Sequence, residues 1–98
     1  MSATGAVTEE FRIIRHPANP GSFVVSNLGR VKNMKTDNVR TLGPKGTVTF
    51  HDAQAYSVGR LVALTFLADD SSVDYSKKRV FHKDGNKFNN HVENLYWK

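Results

Sequence analysis

Hydrophobic residues in this chain fall in short runs that are separated by turn-forming residues, a pattern typical of small β-hairpins. The runs cover residues 11–14, 22–26, 31–33, 39–42, 47–50, 80–82 and 95–97. Glycine, proline and asparagine interrupt them at 16–21, 27–30 and 43–46. The pattern predicts a strand at 11–14, a hairpin from 22–26 and 31–33, and a second hairpin from 39–42 and 47–50.

One segment has helical periodicity. Its apolar residues lie at helical spacing on one face: Val58, Leu61, Val62 and Phe66. Ser57 is a favourable N-cap, and the acidic pair at 69–70 is unfavourable beside a helix C-terminus, so the helix should end near Leu67. We therefore predict an α+β fold, with small antiparallel β-hairpins and one central amphipathic helix.

The last twenty residues hold the most specific pattern. Val80-Phe81-His82 and Leu95-Tyr96-Trp97 enclose a loop that contains Asp, Gly and four Asn. These residues bend a backbone by hydrogen-bonding to it or by adopting positive φ. We expect two strands joined by a polar, self-bonded loop, with His82 at the junction and Phe81 packed on Trp97 across the hairpin.

This stretch carries a family resemblance. The residues are His82-x-Asp84-Gly85-Asn86-x-x-Asn89-Asn90-x-x-x-Asn94-Leu95-x-Trp97. They resemble the core motif of the HNH endonucleases, in the branch found in phage and intron homing nucleases. The resemblance implies that His82 is a general base that activates water against a DNA phosphodiester, and that Asn94 holds the histidine and its loop. It also implies a divalent metal, held by the residue before the histidine and by a side chain on a following helix.

Two departures weaken the implied metal site. Phe81 precedes the histidine, and a phenyl ring cannot ligate Mg²⁺, which requires oxygen donors. The chain ends at Lys98, so the sequence predicts a ββα-metal-like hairpin without its last helix. No residue is assigned as a metal ligand, and Mg²⁺ is expected only if cleavage survives.

A second resemblance covers the preceding residues. The matching positions are Phe23-x-Val25-Ser26-Asn27-Leu28-Gly29-Arg30-Val31, then Arg40, Leu42 and Gly46, then Tyr56-x-Val58-x-Arg60-Leu61-Val62-Ala63-x-x-Phe66. They resemble the nuclease-associated modular domain that precedes the HNH core in homing endonucleases, although Gly59 stands where that family usually has histidine. We expect a flexible tail at 1–10, a modular DNA-binding segment at 11–70 and the truncated hairpin at 71–98, the last two forming one unit.

Charge favours a polyanionic partner. Fourteen Lys and Arg against nine Asp and Glu give a net charge of +5, a balance that suits nucleic acid. The predicted DNA contacts of the hairpin are Lys77, Lys78, Arg79, Lys83 and Lys87. By resemblance, since the modular segment of the relatives lies along DNA, Arg30, Lys32, Arg40 and Lys45 are further candidates.

These observations predict a double-stranded DNA-binding protein of phage or mobile-element origin, with a degenerate active site and cleavage lost. One alternative is a metal-dependent nicking enzyme that uses His82 as base and borrows a ligand from Asp84 or another subunit. Another is a viral protein-interaction module that buries Phe81 and Phe88 against a protein partner or a second copy. No apolar run approaches a membrane span and no secretory signal is visible, so we expect an intracellular protein, in the host cytoplasm or a virion.

Overall fold

The first sheet is a four-stranded antiparallel meander in the order β1-β2-β3-β4. In the computed structural model, which describes residues 8–16, 19–43, 46–50, 54–68 and 72–98, its strands are β1 (Phe11–Ile13), β2 (Phe23–Ser26), β3 (Val31–Asn33) and β4 (Asn38–Val39). Every residue of β2 is buried. The Ser26 hydroxyl accepts hydrogen bonds from the backbone N–H groups of Leu28 and Arg30, both at 3.1 Å, and so holds the β2–β3 turn. The predicted strands of this region are confirmed.

The second sheet pairs β5 (Thr47–Thr49) with β6 (Ala55–Ser57), with Val48 opposite Tyr56. The predicted hairpin between 39–42 and 47–50 is therefore wrong. Val39 pairs instead with Lys32 of β3. Between the two predicted strands there is an isolated bridge from Gly43 to Thr47. The Tyr56 ring stacks on Phe50 at a centroid distance of 5.1 Å, which places β6 beside β5. One aromatic residue in a polar run gives no strand periodicity, so the sequence did not reveal β6.

A helix, α1 (Val58–Phe66), follows β6 directly. The Ser57 hydroxyl accepts a hydrogen bond from the Arg60 N–H at 3.4 Å, and Leu67 caps the C-terminus through its N–H to the Ala63 carbonyl at 2.8 Å. The predicted helix and its cap are confirmed, with an end one residue earlier. Its apolar face completes the core, whose fully buried large residues include Phe23, Val25, Val31, Val58, Leu61 and Val62. The predicted α+β class, antiparallel hairpins with a central helix, is also confirmed.

The third sheet is the C-terminal hairpin of β7 (Val80–His82) and β8 (Leu95–Trp97), in the register Val80↔Trp97, Phe81↔Tyr96, His82↔Leu95. Short 3-10 helices at Tyr75–Lys77 and Val92–Asn94 precede the two strands. Phe81 stacks on Tyr96 at 5.6 Å, whereas the Trp97 indole donates to the Leu67 carbonyl at 3.2 Å. The predicted packing of Phe81 on Trp97 is wrong, because strand alternation puts these residues on opposite faces.

The described end of the predicted tail is attached to the first sheet. Asn27 donates through Nδ2 to the Thr8 carbonyl at 3.1 Å, and its Oδ1 accepts from the Glu10 N–H at 2.8 Å. Residues 1–7 lie outside the described residues. Within the described ranges, no helix has the length and apolarity that crossing a membrane requires.

Candidate functional site

The loop between β7 and β8 is built around the carboxylate of Asp84. Its Oδ1 accepts hydrogen bonds from the Asn86 N–H at 2.8 Å and from Asn94 Nδ2 at 2.9 Å, and its Oδ2 accepts from Asn89 Nδ2 at 2.8 Å. These donors favour the ionised form, and they lower the pKa of Asp84 to about 2, with the Asn89 bond the largest cause. The carboxylate is therefore charged at neutral pH, and both of its oxygens are engaged within the loop.

Asn94 crosses this loop from the far side. Besides its bond to Asp84, its Nδ2 donates to the Asn89 carbonyl at 2.9 Å, and its Oδ1 accepts from the Asp84 N–H at 3.3 Å. These bonds tie both ends of the loop to one side chain. That is the geometry a loop-holding residue needs, and the predicted catalytic role of Asn94 stays a prediction.

The ring of His82 is held by Asn90, one of the loop asparagines that were predicted to hydrogen-bond to the backbone. His82 Nε2 lies 2.7 Å from Oδ1 of Asn90, a side chain that is only 1% exposed. Gly59 of α1 lies against this pair: a Cβ at position 59 would stand 3.0 Å from both Asn90 Oδ1 and His82 Nε2. The glycine thus leaves the room that the hydrogen bond occupies. Gly59 was the available sequence signal, because it departs from the family pattern at this point.

Close backbone contacts attach the loop to the first two sheets. A Cβ on Gly29 would lie 2.7 Å from the Asn90 Cβ, and one on Gly46 would lie 2.3 Å from the Lys87 carbonyl oxygen. The Val92 N–H donates to the Asn27 carbonyl at 2.8 Å. Asn90 Nδ2 is buried, with no hydrogen-bond partner among the described residues. The contact between the polar loop and the first two sheets is therefore tightly packed around Asn90.

The residues beside His82 do not fit a divalent metal. An open depression of about 370 Å³ lies along the hairpin, lined by Arg79, Val80, Phe81, His82, Gly85 and Lys87. None of these side chains carries an oxygen donor, which Mg²⁺ requires. The nearby Asp84 carboxylate already accepts three hydrogen bonds from the loop. In the part of the chain that the structure describes, no cluster of three His, Cys, Asp or Glu side chains could bind a metal.

Three predicted DNA contacts of the modular segment are paired within the protein. Arg30 makes two hydrogen bonds to the Glu9 carboxylate, at 2.7 and 2.8 Å, and this pairing lowers the pKa of Glu9 and raises that of Arg30. Lys32 Nζ lies 3.1 Å from Asp37. Arg40 is half-buried and donates to the Thr49 carbonyl at 2.9 Å. Their roles in DNA binding stay predictions, and Lys45 lies outside the described residues.

The cations of the hairpin are placed differently. Four of the five predicted contacts are exposed and have no side-chain ion pair with any residue that the structure describes: Lys78, Arg79, Lys83 and Lys87. Lys77 is exposed too, with Nζ 4.0 Å from Asp74. The turn that carries the basic residues 77–79 is fixed by Arg60, which donates to the Lys78 carbonyl at 2.9 Å and to the Tyr75 carbonyl at 3.2 Å. Unpaired positive charge is therefore concentrated on the hairpin.

Comparison with known proteins identifies relatives over most of the chain. No family model matches it. Over 82 residues it is 39% identical to the uncharacterized HNH endonuclease L247 of Acanthamoeba polyphaga mimivirus, in a match that covers 76% of this chain and 20% of that protein. Its fold superimposes on the HNH homing endonuclease I-HmuI, solved in a study of DNA binding and cleavage by that enzyme, with a TM-score of 0.65 and 29% identity. This second match covers 91% of this chain and 52% of I-HmuI, so the chain spans about half of one relative and a fifth of the other.

Proposed function

The chain is related to the HNH homing endonucleases, and from that premise we propose that it binds double-stranded DNA through its C-terminal hairpin without cleaving it. The observation that carries the proposal is the combination found on this hairpin. Exposed cations lie near a histidine that is preceded by Phe81, which has no oxygen donor for a metal ion.

Free cations support the binding half of the proposal. A lysine or arginine already paired with a carboxylate must break that pair before it contacts a phosphate. Lys78, Arg79, Lys83 and Lys87 have no such pair with any carboxylate in the described ranges. Each phosphate contact releases a counterion, so four contacts imply a slope of log K against log salt of roughly −3.6. The protein's net charge of +5 acts in the same direction.

Two features support the loss of cleavage. Phe81 replaces the polar residue that the family places before the histidine. The oxygens of Asp84, the nearest carboxylate in the loop, are engaged by Asn86, Asn89 and Asn94. The hydrogen bond of His82 is not one of them: Asn90 Oδ1 can only accept, so Nε2 carries the hydrogen and Nδ1 is left as the nitrogen that could take a proton from water.

The test combines nicking and binding measurements on one protein. Supercoiled plasmid is incubated with the wild type and with His82→Ala, in Mg²⁺ or Mn²⁺, and binding of a labelled duplex is measured across a salt series. We expect salt-sensitive binding and no metal-dependent nicking by either protein. Metal-dependent nicking by the wild type that disappears in His82→Ala would refute the loss of cleavage and establish a nicking enzyme.

Charge variants locate the binding surface. The double variant Arg79→Gln/Lys87→Gln should reduce the salt slope by about 2, because it removes two phosphate contacts. Lys35→Gln is the matched control: it removes one exposed cation from the β3–β4 turn, away from the hairpin, and should leave the slope unchanged. Salt-independent binding, or no duplex binding at all, would refute the proposal and favour a protein-interaction module.

A further inference from the structure

The C-terminal hairpin has two faces of different chemistry. One face packs on the rest of the protein: Leu95 is in the core, Val80 packs against it, and Trp97 bonds to the end of α1. The opposite face carries Phe81 and Tyr96, which lie directly across the ladder from each other. Their rings are stacked at 5.6 Å with an interplanar angle of 24°, and they are 37% and 40% exposed.

The ladder extends this outer face by one residue pair at each end. Arg79 and Lys98 exchange two backbone hydrogen bonds, at 2.9 and 3.3 Å, and the Lys83 N–H donates to the Asn94 carbonyl at 2.8 Å. Side chains alternate along a strand, so Arg79 and Lys83 lie on either side of Phe81 on the outer face and Lys98 lies beyond Tyr96, whereas the Asn94 side chain is bonded within the loop. The Lys98 ammonium lies 5.6 Å from the centre of the Phe81 ring, which confirms that they share a face.

This composition favours a ligand that carries both flat apolar groups and negative charges. Two exposed aromatic rings lie among three cations, and none of these five side chains is a carboxylate. An apolar protein surface would cover the rings but leave the cations unpaired. Unpaired nucleotides suit both groups, because each base has a π-face that stacks on an aromatic ring and each phosphate pairs with a cation.

We propose that this outer face binds an unpaired stretch of DNA, with bases stacked on Phe81 and Tyr96 and phosphates on Arg79, Lys83 and Lys98. The proposal rests on the proposed DNA binding and adds a second form of the ligand, the unpaired strand. From Arg79 to Lys83 the strand extends about 13 Å. That length accommodates roughly two nucleotides.

The test measures binding of a fluorescent oligothymidylate and of a duplex of equal length by anisotropy. Phe81→Leu and Tyr96→Leu keep apolar side chains but remove the stacking surface, and each should weaken oligothymidylate binding about tenfold or more. The change in duplex affinity should be less than about twofold. Phe88→Leu is the matched control, because Phe88 is 57% exposed but lies in the loop rather than on this face. Tyr96→Phe keeps the ring and should bind like the wild type.

A change on the ligand side tests the same point in the wild-type protein. An abasic oligonucleotide keeps the phosphates and loses the bases, so it should bind about tenfold or more weakly than oligothymidylate. Equal binding of the two would refute stacking. Duplex binding without oligothymidylate binding would refute this inference and leave the proposed function standing, whereas loss of both would refute both. A dimer in sedimentation experiments that dissociates in Phe81→Leu would overturn the inference in favour of a second copy of the chain.

Discussion

Gly46→Ala should be among the most damaging single-methyl changes in this protein. Gly46 has φ +70°, and a Cβ there would lie 2.3 Å from the Lys87 carbonyl oxygen. The left-handed conformation alone costs an L-residue about 1–2 kcal/mol. Because the obstacle is backbone rather than a flexible side-chain end, the Lys87 segment must also move, at a further cost of roughly 1–3 kcal/mol. We expect a total loss of about 2–5 kcal/mol.

Gly85→Ala separates the two contributions. Gly85 has φ +74°, almost the same as Gly46, but nothing lies within 4 Å of a Cβ built on it. Its substitution should therefore cost only the conformational part, about 1–2 kcal/mol. The difference between the variants measures how firmly the polar loop is docked against β5.

Urea unfolding followed by circular dichroism gives both free energies. A domain of this size has about 5–15 kcal/mol of stability, so Gly46→Ala should move the midpoint far more than Gly85→Ala does. Equal destabilisation within about 0.5 kcal/mol would refute the reasoning, since it would show that the loop is not held against Gly46. If the polar loop separates from β5 in Gly46→Ala while the rest of the protein stays folded, Lys87 moves with the loop. Duplex binding should then be weaker, and this result too would depend on the contact between Gly46 and Lys87.

Two further predictions follow from the ionised side chains. The folded pKa of Asp84, about 2, lies below its unfolded value of about 3.9, so its stabilising contribution is present above pH 4 and is lost as the pH falls towards 2. In acid unfolding followed by circular dichroism, the stability of the wild type should therefore fall more steeply over this range than that of Asp84→Asn. Parallel profiles of the two proteins would contradict this. Glu9→Gln should strengthen duplex binding about two- to fivefold at low salt in the anisotropy assay, because it frees Arg30 for a phosphate. The control is Glu10→Gln, which removes the same charge beside Arg12 and should have a smaller effect.

The elements that could be predicted are those specified by local sequence. The 22–26 run combines β-branched and aromatic residues before a turn glycine, and it forms the central buried strand β2. Ser57 and the helical apolar spacing were enough for α1. The β5–β6 pairing was missed because it depends on Tyr56 stacking on Phe50, a tertiary contact without a local pattern. The turn signal at 43–46 is followed by the Gly43–Thr47 bridge, but the strands on either side pair elsewhere, β4 with β3 and β5 with β6.

The site shows the same division. Asp, Gly and Asn at turn positions predicted a self-bonded loop, and Asp84 and Asn94 form one. The bond between His82 and Asn90 could not be predicted in the same way, because it depends on close approaches by Gly29 and Gly59 from distant elements. Counting charges likewise could not separate Arg30, paired with Glu9 at a sequence distance of 21 residues, from the unpaired cations of the hairpin.

Gly59 of α1 and Phe81 of β7 both differ from the patterns that the sequence resembles, and they lie at opposite faces of the C-terminal hairpin. At Gly59 the absence of a side chain leaves space, and the His82–Asn90 hydrogen bond lies in that space. The inner face of the hairpin is therefore closely packed against α1. At Phe81 the gain of a ring on the outer face creates the stacked pair with Tyr96 among three cations. A protein that cleaves DNA needs a base and an oxygen-rich metal site; the bond to Asn90 leaves Nδ1 of His82 available as a base, whereas Phe81 supplies no oxygen donor. A protein that only binds DNA needs neither of them, and it gains from an exposed aromatic and basic surface.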